Sequence, residues 1–147
     1  MQRQSGRQQM PAKDIFHDAV RNALLKDGWT ITHDPFVIQY GGVDQFVDLG
    51  AEKILAAQKG KRKIAVEVKS FAAPSPLSDF HTALGQFLDY RLALEKLEPS
   101  RILYLAVPSD TYKSFFSLQF IEEVVATYRL KLAVYEVTKE EIIKWQE

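Results

Sequence analysis

From Asp14 the apolar positions Phe16, Val20, Ala23 and Leu24 recur at intervals of three and four until Gly28 closes the run, which predicts a helix over about 13–27. Trp29–Thr32 is short and β-favouring, and His33-Asp34-Pro35 interrupts it because Pro35 pushes Asp34 out of helical geometry. Phe36–Tyr40 reads as another extended piece and Gly41-Gly42 as a turn. Phe46–Leu55 follows as a longer strand, ahead of a turn at Lys59-Gly60-Lys61. Ile64, Val66 and Val68 then alternate with Ala65, Glu67 and Lys69, the period of two expected of a strand with one face in the core.

Beyond a breaker-rich loop at Ala72–Pro76, Leu84, Phe87, Leu88, Leu92 and Leu94 place a second helix over Phe80–Leu97, and Pro99 ends it. Ile102–Val107, ILYLAV, is apolar on both faces, as in the interior of a sheet covered on both sides. Thr111–Tyr128 reads as a third helix and Lys131–Val137 as a strand. Thr138 with Glu141 forms a capping box that opens a last short helix to Trp145. Early strands joined by short turns favour antiparallel pairing, whereas strands separated by helices need crossovers and favour parallel pairing. The expectation is one α/β domain over 10–147, a mixed central β-sheet flanked by helices on both faces. Residues 1–9, with nothing apolar after Met1, are expected to be a loose, disordered tail.

Charge changes this picture in one respect. Nineteen basic and nineteen acidic residues cancel, so no global field draws the chain to nucleic acid or membrane and any polyanion site must be local. The absence of cysteine removes disulfides, thiolate metal sites and a cysteine nucleophile, and fits a reducing cytoplasm. No apolar run approaches the roughly 18 residues that span a bilayer, and the N-terminal stretch has basic residues with no apolar region after them. A cytoplasmic protein without membrane partners is expected.

The candidate chemistry lies in the stretch 47–70. Glu67 and Lys69 share one face of their strand, and two residues of rise at about 3.3 Å each set their Cβ atoms roughly 6–7 Å apart, near enough to meet one small ligand. Asp48 returns to the neighbourhood of Glu67 if the chain folds back near Gly60. A turn centred on Gly60 pairs Glu67 more directly with Lys53, so either the hairpin tip is irregular or Glu52 competes with Asp48 for the place. Two carboxylates at one point raise each other's pKa unless a cation sits between them. Magnesium, a hard ion that takes one or two carboxylates and fills its shell with water and phosphate oxygens, resolves that conflict. Such an ion lowers the pKa of bound water and neutralises charge on a phosphodiester, while Lys69 orients the water or stabilises the pentacovalent transition state. The plainer alternative is a solvated strand face with a weak ion pair. Against it stands the following helix, which carries Gln86 and Tyr90 four apart on one side.

The pattern D-x18-E-V-K (Asp48, Glu67, Lys69) followed by Q-x3-Y (Gln86, Tyr90) resembles the PD-(D/E)xK nuclease superfamily with its restriction-endonuclease-like fold, and the Q-x3-Y element is similar to that of RecB-type members. The runs KDIFHDAV, ALLKDGWTITHDP, VDLGAEK, KIAVEVKSF, ALGQFLDY and RILYLAVP more closely resemble the XisH family. These are cyanobacterial proteins named as controlling factors for excision of the fdxN element. The resemblance covers residues 10–147. It implies a nuclease-like site that hydrolyses DNA phosphodiester bonds, in which Asp48 and Glu67 bind Mg2+ or Mn2+, Lys69 assists and Gln86 supports. It also implies a role in site-specific DNA excision beside a separate recombinase and a small companion, XisI. The alternative it leaves open is a catalytically weak or silent accessory that works by binding such a partner, and pairing into a homodimer also stays open.

One position departs from the superfamily. Several members carry a metal-associated glutamate on the first helix, eleven residues before the glycine that ends it; here His17 stands there, before Gly28. Histidine is a poor magnesium ligand, so His17 is expected to hydrogen-bond a carboxylate or polarise water. Asp44 reads as a turn residue, and His33 and His81 as ordinary polar residues. Lys59, Lys61, Arg62 and Lys63 form the strongest basic cluster, which fits a solvated turn and a DNA-phosphate contact equally well. Phe115, Phe116 and Phe120 read as core or as a partner surface.

Overall fold

A computed structural model describes residues 12–54 and 61–147. The expected tail at 1–9 and the expected turn at Lys59 and Gly60 lie outside the described residues. The first helix, α1 (Ala12–Lys26), buries Ala19, Val20, Ala23 and Leu24 on one stripe. Gly28 ends it at φ 90°, a left-handed conformation that glycine takes without a Cβ clash, and the Trp29 N–H reaches back to Leu24 O at 3.0 Å. Four strands follow: β1 (Thr30–His33), β2 (Phe36–Tyr40), β3 (Val43–Val47) and β4 (Leu49–Ile54). β2 and β3 pair as a separate two-stranded hairpin, while β1 and β4 belong to the main sheet. The single strand expected over Phe46–Leu55 is therefore two, and Asp48 is the bend at which the chain leaves one sheet for the other.

β5 (Lys61–Val68) is antiparallel to β4, and β6 (Arg101–Pro108) and β7 (Leu132–Glu136) join it in parallel. With a last strand, β8 (Glu141–Gln146), the main sheet among the described residues has the order β1-β4-β5-β6-β7-β8. Its interior strands are buried on both faces. Ile64, Val66, Tyr104, Ala106, Ala133 and Tyr135 pack toward α1. Ala65, Leu103, Leu105, Val107, Leu132 and Val134 pack on the other side, toward the second helix, α2 (Pro76–Leu97). β5 thus differs from the expected half-buried strand, because α2 and the β2–β3 hairpin cover its second face. α2 also starts earlier than expected: Ser75 accepts the Ser78 N–H at 3.2 Å and Pro76 supplies a preset first turn.

Two expectations about the C-terminal third are corrected. The helix expected over Thr111–Tyr128 is broken into α3 (Ser109–Ser114), a 3-10 turn (Phe115–Ser117) and α4 (Gln119–Thr127), with Leu118 extended at φ −68° and ψ 137°. The break turns Phe115 and Phe116 onto Phe71 and Phe80, ring centroids 5.4–6.3 Å apart, which a continuous helix would not allow. The helix expected after Thr138 is instead a strand, β8 (Glu141–Gln146), antiparallel to β7 across a turn in which Glu140 sits at φ 53°. Ile142 and Trp145 then lie on the α1 side, with Trp145 against Tyr104 and Trp29. Among the described residues no helix is long and apolar enough to cross a membrane.

The junction of β5, β6 and the hairpin is clamped by buried Arg101. Its Nη1 donates to the Ile64 carbonyl at 2.9 Å, its Nε and Nη2 bond Glu98 at 3.1 and 3.0 Å, and its guanidinium covers the Phe36 ring at 4.6 Å. Arg101→Met keeps the volume but removes the buried bonds to the Ile64 carbonyl and to Glu98, so it lowers stability by about 2 kcal/mol. A urea unfolding series reads that loss as a lower midpoint.

Candidate functional site

Where β4 runs beside β5, Leu49 faces Val66 and Glu52 faces Lys63. One step further, the same register brings Asp48 level with Glu67. Glu52 lies four residues up the strand from the Glu67 position, so the competition between Asp48 and Glu52 goes to Asp48. The bend at Asp48 has a local cause. Its Oδ2 accepts the Val68 N–H at 3.0 Å, so the side chain takes over a hydrogen bond that a continued β4 backbone would have supplied.

Glu67, Asp48, Lys69 and Gln86 line one open pocket of about 440 Å³, together with Asp44, Gln45, Phe46, Val68 and Tyr90. Glu67 stands at the end of β5 on the α2 side and is only 4% exposed. The Lys69 Nζ lies 3.7 Å from Glu67 Oε2. Burial, and then the neighbouring Asp48 charge, push the Glu67 carboxyl up to about 7 against the opposing pull of Lys69. From α2, Tyr90 faces Glu67 across the pocket, and burial together with that carboxylate holds its hydroxyl in the protonated, donating form. Gln86, one turn earlier, carries a buried Oε1 with no hydrogen-bond partner among the described residues.

The donors that converge here are oxygens: two carboxylates and an unpaired amide oxygen. That set suits a hard divalent cation, and it gives the orphaned Gln86 oxygen a partner that it otherwise lacks. Among the described residues no three or more His, Asp or Glu groups form a ready-made metal cage. The fit is therefore to an ion that keeps several of its waters, as magnesium does, and less to zinc.

A chain of charged and polar groups approaches Asp48 from the α1 side. His17 Nε2 bonds Asp34 Oδ1 at 2.9 Å and its Nδ1 faces Asp48 Oδ1 at 4.0 Å, while Arg21 Nη1 donates to Asp34 Oδ2 at 2.7 Å. His17 thus bonds a carboxylate, as expected, although that carboxylate is Asp34. Sequence reading missed Asp34 and Arg21; the available signal was the His17/Arg21 spacing on one side of α1, with no indication of which acid it would meet. Asp44, expected in a turn, is a β3 residue opposite Gln39 and reaches the pocket wall.

The basic cluster stands elsewhere. Arg62 and Lys63 occupy the start of β5, with Arg62 over the Trp29 ring at 5.8 Å on the α1 side. Five residues of strand, roughly 16 Å, separate Arg62 from Glu67. Lys59 and the Lys61 side chain lie outside the described residues. His33 packs on Phe36 at 5.0 Å and bonds Thr32, and His81 is exposed on α2. A larger groove of about 620 Å³ between α3, α4 and the β7–β8 pair is floored by Phe116, Val125 and Leu132, and its Lys131 and Glu147 already pair at 3.2 Å. The unsatisfied and mutually opposed groups are in the smaller pocket.

Comparison with known proteins places the whole domain. The XisH protein family model matches residues 10–143. An XisH family protein from Nostoc punctiforme PCC 73102 has a crystal structure that superposes with a TM-score of 0.84 at 50% identity, covering 91% of this chain and 100% of the other. A fdxN element excision controlling factor protein from Anabaena variabilis gives a TM-score of 0.83 at 51% identity, covering 91% and 99%. A comparison with curated proteins gives no match. With a family match over nearly its full length and two structures at half identity, the chain belongs to the XisH family.

Proposed function

We propose that this protein hydrolyses DNA phosphodiester bonds with a divalent cation, through a PD-(D/E)xK-type site on a restriction-endonuclease-like fold, and that it serves site-specific DNA excision. One observation carries the reading: Asp48 level with Glu67, the Lys69 ammonium 3.7 Å from Glu67, and the unpaired Gln86 oxygen, all on one pocket. The excision role rests on the name of the Anabaena variabilis relative.

Asp48, Glu67 and the Gln86 oxygen would hold Mg2+ or Mn2+. When bound, the ion supplies Lewis-acid polarisation of the phosphate and a water of lowered pKa. The chain's own groups do the rest. The Val68 amide fixes one Asp48 oxygen, so the other points at a set place. Tyr90, kept protonated beside Glu67, offers a hydroxyl donor on the same pocket. Lys69 orients the attacking water or donates to the phosphate oxygen on which charge develops. The cluster of Lys59, Lys61, Arg62 and Lys63 contacts the phosphates of the same DNA further along its length.

A second reading is a nuclease-fold accessory with a silent site that acts by binding an XisI-like protein or the recombinase. Zero net charge favours it, because a stand-alone DNA enzyme needs a basic face that a partner would here supply. Supercoiled, linear and branched DNA incubated with the protein and magnesium or manganese separates the two. Nicking that falls about 100-fold in Glu67→Ala and in Lys69→Ala, and survives Glu52→Ala, supports hydrolysis. No cleavage by the wild type, with partner binding retained, supports the accessory. Sedimentation of the active species tests whether two copies pair to cut two strands.

A further inference from the structure

Phe36, Ile38 and Val47 pin the β2–β3 hairpin to the core, so the alternate positions turn outward. Two of these, Val37 and Phe46, face each other across the strands and are 42% and 59% exposed. Phe46 lies two residues before Asp48 and lines the same pocket. A largely solvated phenyl ring adds little to folding, so its place beside the site is not explained by the core.

The charges around it narrow what it can meet. From Phe36 to Val47 the hairpin has one carboxylate, Asp44, and no lysine or arginine. On the pocket wall Asp44, Asp48 and Glu67 stand against the single ammonium of Lys69. Proteins grip duplex DNA chiefly through its phosphates, by basic side chains, and this surface has almost none. A nucleobase presents an uncharged π-face that an aromatic ring can stack on, at about 1–3 kcal/mol per base. In a duplex those faces are already covered by neighbouring pairs.

We infer that the pocket takes unpaired DNA, a single-stranded, flap or branch segment, with a base beside the reacting phosphate stacked on Phe46 and Val37. Reaction at that phosphate rests on the hydrolysis proposed above; the stacking does not.

The test uses the full chain in calcium buffer with a fluorescein-labelled single-stranded oligonucleotide and the matching duplex, followed by anisotropy. A second single strand carries 2-aminopurine as a stacking reporter. The expected result is single strand bound at least about tenfold more tightly than duplex, with 2-aminopurine quenched on binding. Phe46→Ala then weakens single-strand affinity about 5- to 100-fold and abolishes the quench, while Phe46→Trp retains both. The slope of log affinity against log salt is the same in all three proteins, because the side chain at position 46 is uncharged in each and neutralises no phosphate. Equal binding of duplex and single strand overturns the inference, as does a Phe46→Ala protein with unchanged affinity and quench. So does a change in sedimentation on Phe46→Ala, which would mean that a second copy covers the ring. The two proposals fail separately. Phe46-dependent stacking without magnesium-dependent cleavage of the same strand removes hydrolysis alone, and Glu67-dependent cleavage indifferent to Phe46→Ala removes the stacking alone.

Discussion

Glu67→Gln makes the protein more stable at pH 8 by about 3 kcal/mol and leaves its stability near pH 4 almost unchanged. Folding moves this carboxyl from 4.5 to about 7. Below 4.5 the group is protonated in both the folded and unfolded chain, and its contribution is fully present. Between 4.5 and 7 the unfolded chain releases the proton while the folded chain keeps it, so stability falls as pH rises. Above 7 both forms are ionised and the loss is complete. Glutamine matches the neutral acid in shape and never ionises, so the variant lacks this fall. Thermal or urea unfolding of both proteins across pH 4 to 9 reads the gap, and curves that coincide at pH 8 would refute the burial argument. Magnesium narrows the gap if Asp48 and Glu67 hold it, by about 2.7 kcal/mol at a hundredfold excess over Kd, in the wild type and not in the variant.

Phe80→Ala costs about 3–5 kcal/mol. Phe80 is 1% exposed in α2, edge-on to Phe115 at 5.6 Å and to Phe116 at 5.7 Å. Those two rings are in place because the chain breaks at Leu118, so they are held by backbone geometry and cannot easily collapse into the space left by a lost phenyl. The residual cavity adds to the lost transfer energy. At about 2–4 °C per kcal/mol for a chain of this size, the melting temperature falls by roughly 6–20 °C. Phe120→Ala, at a ring 64% exposed on the next helix, serves as the control and stays within about 0.5 kcal/mol. Similar losses for the two variants would mean that the aromatic cluster is not a packed core.

The elements that sequence made legible were those whose pattern repeats over several turns or a whole strand. The apolar spacing from Phe16 to Leu24, closed by Gly28, located α1 to within a residue at either end. The both-face apolarity of ILYLAV identified an interior strand, and connection length separated antiparallel β4–β5 from parallel β5–β6 and β6–β7. Failures came where a short stretch fitted two periods. Ile142 and Trp145, three apart, suit one face of a helix, yet both reach the α1 side of β8 because a bulge at Val134/Tyr135 shifts the register. The unpaired edge of β7, which no local rule can see, decided between them.

The residues that line the candidate pocket were legible in the sequence, and their geometry was not. The spacing of Glu67 and Lys69, and of Gln86 and Tyr90, is local and readable. Which acid lies opposite Glu67 depends on the β4–β5 register, in which Leu49 pairs with Val66 and Ile54 with Lys61. The link from Arg21 through Asp34 and His17 toward Asp48 joins three elements, and contacts of that kind follow from the assembled fold alone.

The outermost strand has a consequence for solubility. β8 is six residues long, is kinked by the register shift at Val134/Tyr135, and carries Glu141 and Lys144 along its length. A flat free strand would offer its amides as a template for cross-β stacking between molecules. A short, bulged and charged one resists fibril growth, so straightening the bulge by deleting Ile143 should turn a protected sheet edge into a nucleus for aggregation.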